Sequence, residues 1–193
     1  MKCTLIKTYC TLLFFICFAL FSTAQAAPPQ VSYQAHVSGY GWLNWASNGK
    51  PSGTTGQNRR MEAIRIKANL PIVYQVHVSG HGWLNWVGNG DTAGTTGQNR
   101  RMEAIRIKIN GQYAQRFDVY YRVHAQNGGW MGWAKNGEPA GTTGAGLRME
   151  ALQIQIVPKG TAVNRGGQAF YQAKPSDNSK KNNDTTEPNI PMI

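Results

Sequence analysis

Along residues 31–38, "VSYQAHVS", apolar and polar positions alternate: Val31, Tyr33, Ala35 and Val37 take one phase, and Ser32, Gln34, His36 and Ser38 take the other. A period of two marks a strand with one buried face. The same phase returns through Tyr74, Val76 and Val78, and again through Tyr121, Val123 and Ala125. A second alternating run, "MEAIRIK" at 61–67, places Ile64 and Ile66 on one face. Between the runs lie a glycine turn, a double-tryptophan stretch and the dipeptides Asn48-Gly49, Asn89-Gly90 and Asn136-Gly137. These dipeptides suit a tight hairpin turn with positive φ. "GTTG" then leads into the second run, so each unit reads as three or four antiparallel strands.

The patterns belong to an internal repeat. Residues 31–69 match 72–110 at an offset of 41, with "GTTGQNRRMEAIRIK" identical at 53–67 and 94–108. A third copy, 118–157, follows at an offset of 47 because "GQYAQRF" and its neighbours lengthen the connection. There "GTTGAGLRMEALQIQ" replaces the shared stretch, and Leu147 stands where the first two copies have Arg59 and Arg100. A copy of about 40 residues is too small to bury its apolar face alone, whereas three packed about an axis share a core. We expect 31–157 to be one all-β domain of threefold pseudo-symmetry, β-prism-like with each copy as one small antiparallel sheet. The β-trefoil is the alternative at this repeat length.

The flanks carry other signals. Residues 1–26 combine Lys2 and Lys7, the apolar "TLLFFICFALF" and a small-x-small site at Ala24 and Ala26, the pattern of a secretory signal peptide. Its removal would take away Cys3, Cys10 and Cys17, all the cysteines, and with them disulfide and thiolate chemistry. It would also take Lys2 and Lys7 from the 20 basic residues, leaving 18 against 9 acidic and a net charge of +9 that favours a negatively charged partner. No later segment is continuously apolar, so no transmembrane insertion is expected. The protein should be secreted, extracellular or cell-surface associated, or else periplasmic. Residues 158–193 are too poor in apolar residues to order and read as a mostly disordered tail. Within it "AFYQAK" at 169–174 resembles "VSYQAH" at 31–36, as a closing strand or a relic of a fourth copy.

The double-tryptophan stretch is "GWLNW" at 41–45 and 82–86 and "GWMGW" at 129–133. Residues three apart on a flat strand face opposite sides. Of Trp42 and Trp45, Trp83 and Trp86, and Trp130 and Trp133, one should enter the core and one face solvent, unless a bulge intervenes. Repeats also reuse one large hydrophobe to fill an axis, which would place all six inside. An outer tryptophan beside Asn44 or Asn85 has what a sugar needs: a ring to stack on its CH face and an amide for its hydroxyls. Gly132 replaces that asparagine in the third copy, where the site should be weaker.

Glu62, Glu103 and Glu150 keep phase with Ile64, Ile105 and Leu152 and so turn a charge inward. Their expected partners are Arg60, Arg101 and Arg148, present in all three copies, or N–H groups of the "GTTG" loop, in a structural role. His36, His77 and His124 recur on the polar phase of the first strand and read as surface residues. A zinc site would need them to meet at the axis, so no metal is expected. Arg65 and Lys67 alternate off the buried face, as a solvated strand surface or as a basic stripe for anionic surface polymers. No nucleic-acid motif is present, and no nucleic-acid partner is expected.

Gly-Trp, a second Trp three residues on, Asn-Gly, Gly-Thr-Thr-Gly and then Met-Glu-Ala-Ile or its leucine variant form a specific combination. It resembles the clostridial hydrophobic repeat with its Gly-Trp signature, the ChW repeat, in all three copies over roughly 31–157. The resemblance implies an exported or cell-surface protein, usually with repeats in threes, that attaches to polysaccharide, cell wall or other macromolecules.

Near-identical copies offer no asymmetric set of nucleophile, base and orienting residue, so neither an enzyme nor a cofactor is expected. The sequence supports a secreted non-catalytic binding module for carbohydrate or an anionic cell-surface polymer, gaining avidity from repeated weak sites. The alternative is an adhesive or structural protein that binds another protein, such as a surface protein, by edge strands or an exposed tryptophan patch.

Overall fold

The computed structural model describes residues 29–174. The signal-peptide segment 1–26 and the last part of the expected tail, 175–193, lie outside the described residues. In the first copy β1 (Val31–Val37), β2 (Gly41–Trp42), β3 (Ala46–Ser47), β4 (Ser52–Gly53) and β5 (Met61–Ala68) follow one another. The second copy has β6 (Ile72–Val78), β7 (Gly82–Trp83), β8 (Thr92–Gly94) and β9 (Met102–Ile109). The third has β10 (Phe117–Ala125), β11 (Gly129–Trp130), β12 (Ala134–Lys135), β13 (Ala140–Thr143) and β14 (Met149–Pro158). A 3-10 turn, Gly111–Gln115, fills the longer second connection. The two alternating runs of each copy pair antiparallel, β1 with β5, β6 with β9 and β10 with β14. Among the described residues no helix is long and apolar enough to cross a membrane.

The expectation that each copy is its own sheet needs one correction. The strand that follows each Asn-Gly turn leaves for a neighbour: β4 pairs with β14, β8 with β5 and β13 with β9. Three five-stranded sheets result, each completed by another copy, and the exchange closes into a ring. The turn is therefore no hairpin within one sheet but a crossing between two. Its glycine N–H makes the crossing bond, from Gly49 to the Ile154 carbonyl, from Gly90 to Ile66 and from Gly137 to Ile107, each at 2.7 Å. At the lent strand the backbones approach too closely for a side chain. Gly94 has φ +114, and a Cβ there would sit 2.6 Å from Ala63 Cα and nearer still to the Glu62 carbonyl; Gly53 and Gly141 repeat the arrangement.

The apolar phases of all three copies meet in one core. Tyr33, Tyr74 and Tyr121 are fully buried in it, and their hydroxyls bind the ring together. Tyr74 donates to the Asp91 carbonyl of its own copy and accepts from the Ile66 N–H of the first copy at 3.1 Å. Tyr33 does the same with the Lys50 carbonyl and the Ile154 N–H of the third copy, also at 3.1 Å. Tyr121 donates to the Glu138 carbonyl. Burial pushes all three phenols up, Tyr74 to about 12.

Residues 158–174 are folded onto the third copy, against the disorder expected of this stretch. Asp118, fully buried, anchors the start of this segment. It pairs with Lys159 at 2.9 Å and Lys135 at 3.0 Å, and accepts from Asn136 Nδ2 at 2.7 Å and the Gly160 N–H at 3.2 Å. Burial alone would raise this carboxyl, but those hydrogen bonds outweigh it and hold the group well below the usual carboxylate range. The chain then returns as β15 (Phe170–Gln172), parallel to β13. "AFYQAK" is thus a closing strand. It does not repeat the role of "VSYQAH", which pairs antiparallel with β5.

Candidate functional site

Near the end of β1 the register slips: His36 opposes Ala63 while Val37 opposes Met61, so Glu62 is the extra residue of a bulge. The bulge overturns the phase expected for the glutamates. Met61 enters the core, and Glu62 turns to the opposite face of the sheet beside His36. The carboxylate is still buried, as are Glu103 and Glu150. Arg60 holds it with Nε at 3.0 Å and Nη2 at 2.7 Å from Oε1. Arg101 and Arg148 hold Glu103 and Glu150 in the same way, so the expected arginine partners are in place. The "GTTG" loop contributes to the main chain instead: the Thr95 N–H bonds the Glu62 carbonyl and the Thr54 N–H the Glu150 carbonyl, both at 2.8 Å. A buried carboxylate gripped through two guanidinium nitrogens belongs to the framework.

The histidines are not surface residues. His36 Nδ1 lies 3.2 Å from Glu62 Oε2, and His77 and His124 lie 3.1 Å from Glu103 and Glu150. These are close approaches without hydrogen-bond alignment. Each imidazole meets the next tryptophan edge to face, His36 with Trp42 at 5.2 Å and His77 with Trp83 and His124 with Trp130 at 5.5 Å. The three histidines stand on three separate sheets, and among the described residues no three His, Cys, Asp or Glu side chains gather as a metal site.

Neither tryptophan of a pair enters the core, contrary to both readings of the sequence. Pairing of β2 with β1 sets Trp42 opposite His36, on the outer face. The chain then leaves strand geometry over 43–45. Leu43 turns in to pack on the core, as do Leu84 and Met131, and Trp45 comes back to the outer face. There the polar phase of β5 meets the rings: the Arg65 guanidinium lies 4.2 Å from the Trp42 ring and the Lys67 ammonium 4.9 Å from Trp45. Arg106 with Trp83 at 4.3 Å and Lys108 with Trp86 at 4.7 Å repeat the row. Such contacts contribute about 0.5–1 kcal/mol each at exposed positions. Trp45 and Trp86 remain 42% and 40% exposed, with exposed Asn44 and Asn85 beside them.

The third copy departs from this plan in two ways. Gln153 replaces the strand arginine, and Arg122, across the ladder, takes over both half-buried rings, Trp130 at 5.0 Å and Trp133 at 4.8 Å. In the first two copies the glutamine and arginine of this pair are exchanged, Gln34 opposite Arg65 and Gln75 opposite Arg106. The exchange is legible in the repeat, where Arg122 stands at the position of Gln34 and Gln75. Second, the segment after β14 lies across the site. The Gly132 N–H donates to the Gln168 carbonyl at 3.0 Å and the Trp133 N–H to the Arg165 carbonyl at 2.7 Å, while Arg165 Nε donates back to the Trp133 carbonyl at 2.8 Å. A Cβ at Gly132 would sit 2.6 Å from the Gly167 carbonyl carbon. The missing asparagine is therefore the mark of a site covered by its own chain, more than of a weakened one.

In the second copy β15 walls a cleft of about 310 Å³ between Phe170 and the row His77, Trp83 and Arg106. Arg106 Nε is buried there without a hydrogen-bond partner. Its counterpart Arg65 donates to Thr92 Oγ1 at 2.9 Å, whereas Pro139 occupies the corresponding position facing Arg106. Elsewhere Arg60, Arg101 and Arg148 of the three copies come together with Arg59 to line a polar cleft of about 480 Å³.

The fold and these surfaces define a three-repeat β protein that presents tryptophan and cation rows on its outer faces. The family model of the clostridial hydrophobic W repeat, ChW, matches residues 36–69, 77–111 and 124–158, and the chain belongs to this family. No curated protein and no solved structure matches the chain.

Proposed function

We propose that the protein is a secreted, non-catalytic binding module that attaches to carbohydrate or an anionic cell-surface polymer through the outer faces of its first two copies. The observation that carries this reading is the exposure of Trp45 and Trp86, each beside an exposed asparagine and above a lysine. An indole held at its site stacks on the CH face of a sugar, and the neighbouring amide bonds its hydroxyls. Arg65, Lys67, Arg106 and Lys108 set positive charge along the same faces and favour an acidic polymer. Two sites rather than three are open, because the third is covered by residues 165–168. Two weak sites on one rigid body gain by avidity when a polymer spans both.

The test is binding of the purified protein to an array of glycans and bacterial surface polymers at low and high salt. Changing both Trp45 and Trp86 to alanine should lower binding at least about tenfold, given aromatic contributions of roughly 1 kcal/mol per site, and leave the melting temperature near its original value. Trp133→Ala should leave binding within about twofold. Unchanged binding in the double variant would end the tryptophan argument, and signal on every polyanion, abolished by salt, would mean that charge alone acts.

A further inference from the structure

Each sheet ends on the strand that a neighbouring copy lends it, β4, β8 or β13. On β13 that edge is taken. β15 runs along it in parallel, with Gly141, Thr142 and Thr143 opposite Phe170, Tyr171 and Gln172. The Gly141 N–H donates to the Ala169 carbonyl and the Ala173 N–H to the Thr143 carbonyl, both at 2.9 Å. The same pentapeptide, Ala-Gly-Thr-Thr-Gly, stands at 140–144 and at 93–97, where it continues β8, and Ser-Gly-Thr-Thr-Gly stands at 52–56, where it continues β4. Its glycine keeps the same backbone in all three, with φ of +123, +114 and +111 at Gly53, Gly94 and Gly141.

What differs is the cover. Thr142 and Thr143 are buried under β15, whereas Thr54 and Thr95 are half-buried and Thr55 and Thr96 exposed. The cleft that Phe170 walls beside His77 has a counterpart along β4, lined by Thr55, Gly56 and His124 together with Arg148 and Glu150, where among the described residues no strand stands and the space opens to about 610 Å³.

We propose that the β4 and β8 edges are docking sites for an extended peptide of a partner protein, added as a parallel strand in the place that β15 takes on β13. An unpaired edge offers a row of backbone donors and acceptors, which is how strand addition obtains its affinity. The chain's own strand states the matching chemistry: an aromatic pair, Phe170 and Tyr171, with Ala169 before it and Gln172 and Ala173 after it. By the repeat, the first aromatic of the docked peptide lies beside Trp42 and His36 on β8, and beside Trp130 and His124 on β4. Among the described residues there are three such edges and one closing strand, already seated on β13, and the proposed occupant of the other two comes from another molecule. This inference uses main-chain edges and does not rest on sugar binding by Trp45 and Trp86.

The probe is a synthetic peptide of residues 167–174, "GQAFYQAK", titrated into the purified chain while backbone amide resonances are followed. The expected result is shifts at residues 54–56 and 95–97 that saturate at two peptides per chain. Methylating the nitrogen of Ala173 removes the donor meant for the Thr55 and Thr96 carbonyls, and should weaken binding about fivefold. Shifts confined to Ala140–Thr143 would show exchange with β15 and overturn the proposal. So would an absence of shifts, or equal binding of the methylated peptide, which would show aromatic adsorption without a backbone ladder. Glycan binding is unaltered under each of these outcomes, so the two readings fail separately.

Discussion

Replacing Gly94 with alanine tests the exchange of strands directly. Gly94 sits at φ +114, where an L-residue carries strain of about 1–3 kcal/mol. The new Cβ would come 2.6 Å from Ala63 Cα and nearer to the Glu62 carbonyl. Both are backbone atoms of β5, whose other edge is held by β1, so no side-chain rotation relieves the clash. β8 has to lift away. Lifting breaks the 2.8 Å bond from the Thr95 N–H to Glu62, undoes the pairing of residues 92–94 with β5 and uncovers Ala93. Two or three hydrogen bonds at about 1 kcal/mol each, added to the strain, give a loss of about 3–6 kcal/mol. That is a large share of the roughly 5–15 kcal/mol available to a domain, and should lower the melting temperature by roughly 10–20 °C. Tryptophan fluorescence during heating reads it. The control is Gly97→Ala in the same loop, where φ is +70 and nothing lies within 4 Å of a Cβ; it should cost only about 1–2 kcal/mol. Equal losses in the two variants would refute the placement of β8 in the first copy's sheet.

Other expectations follow from single groups. Tyr74→Phe leaves the Ile66 N–H and the Asp91 carbonyl without their partner and should cost about 1–3 kcal/mol in urea unfolding. Because burial holds the Tyr74 phenol at about 12 in the folded protein against about 10 in an unfolded chain, its contribution is complete below pH 10 and is lost as pH rises toward 12, a decline that Tyr74→Phe should reduce. Asp118→Asn should cost about 2 kcal/mol at neutral pH and raise hydrogen exchange over residues 159–174. Its folded carboxyl lies below the unfolded value of about 3.9, so the stability it supplies is present above that pH and fades as acid protonates it, and the gap to the variant should narrow there.

The period-two runs, the three copies and the shared core were legible because strand alternation writes burial straight into the sequence. The arginine partners of Glu62, Glu103 and Glu150 were legible for a similar reason, as charges recurring in step. The face on which those glutamates lie was not. A one-residue bulge leaves no trace in a phase count, and it moves Met61 inside and Glu62 outside. The tryptophans failed as a flat-strand argument because residues 43–45 are not strand, and Leu43 takes the inward position. Gly132 reads in the sequence as a lost amide, since nothing local says that residues 165–168 pass over it. The destination of the "GTTG" strand is likewise a long-range fact. Its only local hint is a glycine at the same place in each copy, Gly53, Gly94 and Gly141, which marks a close backbone approach without naming the neighbour.

The ring of borrowed strands also sets the order in which the molecule can come into being. β4, in the first copy, finds its partner in β14, the last strand of the third, and the Tyr33 hydroxyl waits for the Ile154 N–H of that same strand. A chain made from its N-terminus holds β4 unpaired and the bond from Ile154 to Tyr33 unmade until nearly all of it has been synthesised. Assembly is therefore one late event rather than copy after copy, with the slow kinetics of contacts far apart in sequence. Open solenoids lengthen by adding units at an end. In this circle a fourth unit would find the receiving edges of β5, β9 and β14 already promised, so the number of copies is set by closure and not by how often the sequence duplicated.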